Sequence, residues 1–100
     1  MTVNTIKNAG AITIEISGRI DTTTAPQLEK EVNDNIAGVS ELIFDFKDVA
    51  YISSAGLRVL LTAQKVMNQQ GKMKIVNVSK DIMEIFDITG FADIMDIQRS

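Results

Sequence analysis

Two adjacent serines, Ser53 and Ser54, stand where a strand-like pattern of residues gives way to a helical one. Serine favours helix starts, so one of the two should cap the helix and the other should lie in its first turn. The first N–H groups of a helix have no partner within the helix, and the aligned peptide dipoles place positive charge there. Gly56 follows and has no side chain that could cover this backbone. The stretch therefore predicts an anion-accepting helix start, although capping alone would also explain both serines.

Other charged residues could contribute to chemistry around this point. Asp21, Asp45 and Asp48 can be interpreted as one carboxylate cluster for acid–base catalysis or Mg²⁺, but aspartates at the ends of strands and helices usually form turns. We favour the turn interpretation. Arg58 lies one helical turn beyond Ser54, where it could contact a phosphate or an acidic group of a partner, or could simply be solvated.

The composition excludes several classes of function. The chain has no histidine and no cysteine, which argues against a zinc site, a thiol nucleophile and a disulfide framework. No glycine-rich phosphate loop and no serine–lysine dyad is visible, so we predict no enzyme activity, no metal and no cofactor. The formal net charge of −3 argues against general nucleic-acid binding, which requires a basic surface.

The elements that must position the serines can be predicted from periodicity. Apolar residues at Leu57, Leu60 and Met67 predict a helix after the serines, and the apolar run Glu41–Phe46 predicts a central strand covered on both faces. We predict that residues 47–52 link that strand to the helix. Ile12, Ile14 and Ile16 alternate with polar residues, which predicts an earlier strand over Ala11–Ser17.

The remaining elements complete a single domain over residues 1–100. A weak strand at Val3–Lys7 forms a hairpin with the strand at Ala11–Ser17, and residues 18–21 leave the sheet. The further elements are predicted to be a helix from Ala25 and Pro26 to Gly38, a strand at Lys72–Val78, a helix at Lys80–Ile88 capped by Ser79, and a last strand at Phe91–Ile97. The order β-β-α-β-α-β-α-β predicts an α/β fold with a mixed sheet packed against helices.

At these residues the chain resembles the anti-sigma factor antagonist family, the STAS domains. The resemblance is carried by Leu42-Ile43-Phe44-Asp45-Phe46, by Ser53-Ser54-Ala55-Gly56-Leu57 and by Gly18-Arg19-Ile20-Asp21, and it extends over nearly the whole chain. In that family the serine two residues before the glycine of the Gly-Leu pair is phosphorylated, which here is Ser54. The family often has aspartate immediately before that serine, whereas this chain has Ser53, which makes Ser53 the second choice for the modified residue.

The resemblance implies a partner switch. The unmodified protein would bind an anti-sigma factor serine kinase and free the sigma factor, phosphorylation of Ser54 would end that binding, and a serine phosphatase would restore it. The implied partner-binding residues are Asp21, Thr22, Ser53, Ser54, Gly56 and Arg58. The protein is expected to be a monomer.

STAS domains also serve as accessory subunits that are not phosphorylated, in membrane lipid transport assemblies or sensory complexes. In such an assembly the same surface would dock a transporter or scaffold, and Ser54 would be structural. The chain itself has no secretory signal at its start and no run of about 20 apolar residues that could span a bilayer, so no direct membrane insertion is expected. These features predict a cytoplasmic protein.

Overall fold

The computed structural model describes all residues 1–100 and contains one sheet of five strands with three α-helices. The elements are β1 (Thr2–Asn8), β2 (Ala11–Ile20), α1 (Ala25–Asn35), β3 (Glu41–Ile52), α2 (Ser54–Met67), β4 (Lys72–Val78), α3 (Lys80–Thr89) and β5 (Asp96–Arg99). A short 3-10 turn at Phe91–Asp93 lies between α3 and β5. The predicted order of strands and helices is confirmed.

The sheet is mixed, and its strands lie in the order of the chain, β1-β2-β3-β4-β5. β1 pairs with β2 in an antiparallel hairpin, and every later pair of neighbours is parallel. All three helical connections therefore step across the sheet in the same direction. Because such crossovers are right-handed, the three helices pack on one face of the sheet.

The core lies between that face and the helices. The buried strand residues alternate along the chain, as at Leu42, Phe44 and Phe46 in β3, while Ile43 and Asp45 between them are only half-buried. The expectation that β3 is covered on both faces is therefore wrong. With every crossover on one side, no helix covers the second face, which we call the open face.

Several predicted boundaries also need correction. β2 does not end at Ser17 but continues to Ile20, and β3 continues through the predicted link to Ile52. Irregularities in the β2–β3 register, between Glu15 and Ser17 and again between Gly18 and Arg19, let both strands continue although the alternation of buried and exposed residues breaks.

The ends of the helical connections differ as well. α1 ends at Asn35 rather than at Gly38, which lies beyond the helix with φ +75°. The segment predicted as a strand from Phe91 begins with the 3-10 turn, and only Asp96–Arg99 joins the sheet. No helix combines the length and the hydropathy that are needed to cross a bilayer.

Candidate functional site

The start of α2 follows directly from the end of β3. Ser53 is the N-cap of the helix, in an extended conformation, and its Oγ accepts a hydrogen bond from the Gly56 N–H at 3.4 Å. The backbone N–H of Ser53 donates to the Ile20 carbonyl at 2.8 Å, which fixes this junction to the end of β2. The prediction that one serine caps the helix and the other lies in its first turn is confirmed.

Ser54 is the first helical residue, and its side chain is exposed. No hydrogen bond within the protein involves its hydroxyl, because the capping role is already filled by Ser53. The first turn of α2 contains no acidic residue that would compete for its positive end. The Ser54 hydroxyl is therefore the group at this helix start that another molecule can reach and modify.

Gly56 lies beneath this surface and not on it. It is buried, and a Cβ at this position would stand 2.6 Å from Ile20 Cγ2 and 2.8 Å from Ile52 Cγ1. The close approach lets the first turn of α2 rest on the ends of β2 and β3. The prediction that Gly56 belongs to the partner-binding surface is corrected accordingly, since its role here is packing.

The loop after β2 is organised by Asp21. One oxygen of its carboxylate accepts hydrogen bonds from the Thr23 hydroxyl at 2.7 Å and from the N–H groups of Thr23 and Thr24 at 3.0 and 3.1 Å. The Thr23 hydroxyl, with these backbone donors, holds the pKa of Asp21 below its ordinary value of 3.8, although partial desolvation acts in the opposite direction. Asp21 thus forms the turn that leads into α1.

The N-cap of α1 is Thr24, but its hydroxyl does not bond to the helix. The hydroxyl instead donates to the Arg19 carbonyl at 2.8 Å and accepts from the Asp21 N–H at 2.8 Å. The helix therefore starts from a loop that is bonded back to β2, which fixes the position of Thr22 between Asp21 and the helix.

Arg19 and Tyr51 form a pair that the sequence did not reveal. They are partners in the β2–β3 register, and the Arg19 guanidinium lies 4.3 Å from the centre of the Tyr51 ring. Arg19 Nε is also 3.8 Å from Asp21 Oδ2. Since Ile20 and Ile52, the next residues along each strand, are buried among the helices, Arg19 and Tyr51 lie on the open face beside the Ser53 junction.

Thr22 and Arg58 lie near each other across the starts of α1 and α2. Both are exposed, and together with Pro26 and Ala55 they line a shallow groove between the two helices. The structure thus brings five of the predicted residues together at one end of the molecule, at the carboxyl ends of β2 and β3. They are Asp21, Thr22, Ser53, Ser54 and Arg58.

Asp45 and Asp48 do not belong to this end. Asp45 Oδ1 accepts from Asn77 Nδ2 and from the Lys47 N–H, each at 3.0 Å, and both aspartates line a depression on the open face with Glu15. The chain contains no group of three or more acidic residues arranged to hold a metal ion. Asp21, Asp45 and Asp48 therefore do not form one cluster around Ser54.

Comparisons with known proteins identify the family of this chain. The model of the STAS domain family matches residues 2–100. An anti-sigma-B factor antagonist of Bacillus subtilis is 36% identical over 96 residues, which cover 95% of this chain and 88% of that protein.

Two solved structures share the fold. The crystal structure of an anti-sigma factor antagonist from Mycobacterium paratuberculosis has a TM-score of 0.90 at 22% identity, over 99% of this chain and 86% of that one. SpoIIAA of Bacillus in its phosphorylated form has a TM-score of 0.75 at 17% identity, over 96% and 90% of the two chains. The family match and the identity to the Bacillus subtilis protein confirm the resemblance that the serine motif predicted, and the chain belongs to the STAS domain family of anti-sigma factor antagonists.

Proposed function

We propose that this protein is an anti-sigma factor antagonist controlled by phosphorylation of Ser54. Unmodified, it binds an anti-sigma factor that is a serine kinase, and the sigma factor is released. The kinase transfers the γ-phosphoryl group of ATP to Ser54 Oγ, the phosphorylated protein leaves, and a serine phosphatase hydrolyses the phosphoserine. In this proposal the protein is a cytoplasmic monomer that acts by binding a protein, and not by catalysis or by contact with nucleic acid.

The proposal rests on the different roles of the two serines at the start of α2. Ser53 Oγ accepts from the Gly56 N–H and closes the helix start, while the Ser54 hydroxyl is exposed and unbonded. A kinase can therefore reach Ser54 without breaking a hydrogen bond of the fold. Modification of Ser53 would remove the cap of α2, which supports Ser54 as the phosphorylated residue.

Electrostatics explains how one phosphate could change the affinity. A phosphoserine carries a charge of about −1.5 to −2 at neutral pH. The first turn of α2 tolerates it, because unpaired N–H groups and the helix dipole favour an anion there. The partner surface, in contrast, would have to accept a large new negative charge near the carboxylate of Asp21, which is ionised at neutral pH. The phosphate would thus weaken binding while the fold is preserved.

The surface that would meet the kinase consists of Asp21, Thr22, Ser53, Ser54 and Arg58, with Gly56 beneath it. Arg19 and Tyr51 extend this surface onto the open face. Arginine and tyrosine often dominate binding energy at protein interfaces, so this stacked pair strengthens the case for an interface here.

The test uses the anti-sigma factor serine kinase of the same host. The purified protein is incubated with that kinase and ATP, and tandem mass spectrometry maps the product. We expect one phosphate on Ser54, none on a Ser54→Ala variant, and continued phosphorylation of a Ser53→Ala variant. Because loss of the cap costs Ser53→Ala about 1 kcal/mol of stability, its folding is checked by circular dichroism.

Binding to the kinase is then measured by calorimetry with each variant. Ser54→Ala should bind as the unmodified protein does and stay bound in the presence of ATP, while Ser54→Asp should bind more weakly. A Ser54→Asp variant with undiminished affinity would contradict the switch. A phosphate on Ser53 would keep the switch and correct the site.

A further inference from the structure

A second exposed surface lies on α3 and the turn that follows it. Its apolar members are Ile88, with 85% of its surface exposed, and Ile94, with 56% exposed, the two most exposed large hydrophobic residues of the chain. Glu84, Asp87 and Asp93 are exposed acidic residues of the same segment, whereas Asp81, which is also exposed, lies at the start of α3. We call Glu84, Asp87, Ile88, Asp93 and Ile94 the α3 surface.

The amphipathic pattern of α3 fixes which residues point outward. Ile82 and Phe86 are buried, and the Phe86 ring packs against Phe46 and Phe91 at centroid distances of 6.0 and 6.3 Å. Glu84 lies one helical turn before Ile88, on the outer side. Ile88 therefore lies on the side of α3 that faces away from the core.

The negative charge of the protein is concentrated in this part of the chain. Residues 80–100 contain five of the thirteen acidic residues and two of the ten basic residues, so they account for the whole net charge of −3. The two basic residues of this segment, Lys80 and Arg99, do not lie near Ile88 and Ile94. Lys80 is at the start of α3, and Arg99 pairs with Val78 at the end of β4.

The acidic members of the α3 surface are not neutralised within the protein. The two ion pairs of the fold join Arg19 to Asp21 and Lys30 to Asp34. Asp96 lies opposite Lys74 in the sheet register and is therefore excluded from the surface. Glu84, Asp87 and Asp93 remain available to pair with positive charges from outside.

We propose that the α3 surface docks a basic amphipathic helix of a partner protein. Lysine or arginine on such a helix would pair with Glu84, Asp87 and Asp93, and its apolar face would cover Ile88 and Ile94. A second copy of this chain fits poorly, because a two-fold contact would bring the same acidic residues together. An anionic membrane would repel the surface for the same reason.

This surface is separate from the Ser54 site. Ser54 follows the carboxyl end of β3, whereas the end of α3 and Ile94 lie where the chain returns to the amino ends of the parallel strands. The two surfaces are thus at opposite ends of the sheet and can be occupied together. The inference holds whether or not Ser54 is phosphorylated.

The test uses the full chain and a defined probe, a synthetic amphipathic helical peptide of leucine and lysine. Amide chemical shifts of the isotopically labelled protein locate the peptide, and fluorescence anisotropy gives its affinity. We expect shifts at Glu84–Ile97 and at most small ones near Ser54. Ile88→Ser should weaken binding about tenfold, as expected when a central apolar contact of an interface is lost.

Matched control variants distinguish binding at the α3 surface from nonspecific binding of the peptide. Ile6→Ser removes another exposed isoleucine, which lies on β1, and Glu29→Lys reverses a charge on α1. Both should bind like the unmodified protein, whereas Glu84→Lys should bind weakly, and binding should fall with rising salt. Ser54→Asp should bind the peptide normally.

Three results would overturn the proposal. The first is a peptide footprint outside Glu84–Ile97, and the second is equal binding of a peptide with glutamate in place of lysine. The third is self-association in sedimentation that Ile88→Ser abolishes, since that would make a second copy the occupant. Circular dichroism of Ile88→Ser confirms that the variant is folded before its affinity is compared.

Discussion

Asp21 shows how a single residue can order a functional loop. Its carboxylate accepts hydrogen bonds from the N–H groups of Thr23 and Thr24 and from the Thr23 hydroxyl, and its own N–H donates to the Thr24 hydroxyl. These bonds hold Thr22 at the surface beside the start of α2. The residue therefore has a structural task that can be measured separately from any partner.

The hydrogen bonds of Asp21 make a contribution to stability that depends on pH. Because the folded pKa lies below the ordinary value of 3.8, the contribution is fully present above 3.8 and is lost as the pH falls through the lower folded pKa. Asp21→Asn should thus be less stable than the unmodified protein at neutral pH, and the difference should disappear in acid. Urea unfolding across this range measures it. Asp48→Asn, at an exposed aspartate outside the loop, is the control, and a constant difference for Asp21→Asn would contradict the account.

For individual residues, the sequence predicted the roles of the two serine hydroxyls but not all of the side chains that form the surface around them. The roles of Ser53 and Ser54 in the helix start could be predicted, because capping depends on residues within one turn. The stacking of Arg19 on Tyr51 could not, because it depends on which residues of β2 and β3 stand opposite each other. The burial of Gly56 likewise depends on its packing against Ile20, which is distant in the sequence, and against Ile52 at the end of β3.

The turn between α2 and β4 lies against the backbone of Ser40, just before β3. A Cβ at Gly71 would stand 2.0 Å from the Ser40 carbonyl oxygen, which already accepts the Lys72 N–H at 3.0 Å. Neither backbone can move without breaking the start of the β3–β4 pairing. Glycine is therefore required here for lack of space, in a conformation that other residues could adopt.

Gly71→Ala should destabilise the protein by about 3 kcal/mol, because it forces a clash between two backbones. Gly38→Ala is the matched control. Gly38 has a φ of +75° but nothing within 4 Å of a Cβ, so alanine there should cost only the strain of the left-handed conformation, about 1 kcal/mol. Urea unfolding compares the two variants. Equal losses would show that the Ser40 contact is readily relieved.

The order of the strands and helices could be predicted because each has its own periodicity of apolar residues. Their boundaries could not be predicted, because they depend on the strands and helices that lie beside them in the fold. β3 continues past Phe46 only because β2 runs beside it, and the extra residues near Asp48 are absorbed by irregular pairing. The exposure of one side of β3 was missed for a related reason, since an apolar run does not indicate how many faces of a sheet are covered.

For the molecule as a whole, phosphorylation of Ser54 should leave the fold unchanged. The phosphate would stand at an exposed helix start with no hydrogen bond of the protein to break. We expect the phosphorylated protein to unfold at the same urea concentration as the unmodified protein or at a slightly higher one, because the start of α2 favours an anion. Amide shifts should be confined to the region of residues 19–24 and 51–58. Ser54→Ala serves as the unphosphorylatable control. Shifts spread through α3 and β5 would instead indicate that the modification rearranges the domain.

The strand order has a consequence for how the protein is made. Each strand pairs with the one before it in the chain, so a sheet emerging from the ribosome can grow by one strand at a time without waiting for a later segment. Residues 19–58, which contain the whole Ser54 end, are synthesised before β4, α3 and β5. Neither the hairpin nor the first parallel pair needs the chain to be threaded through an existing gap, so newly made chains can reach the native topology by simple addition.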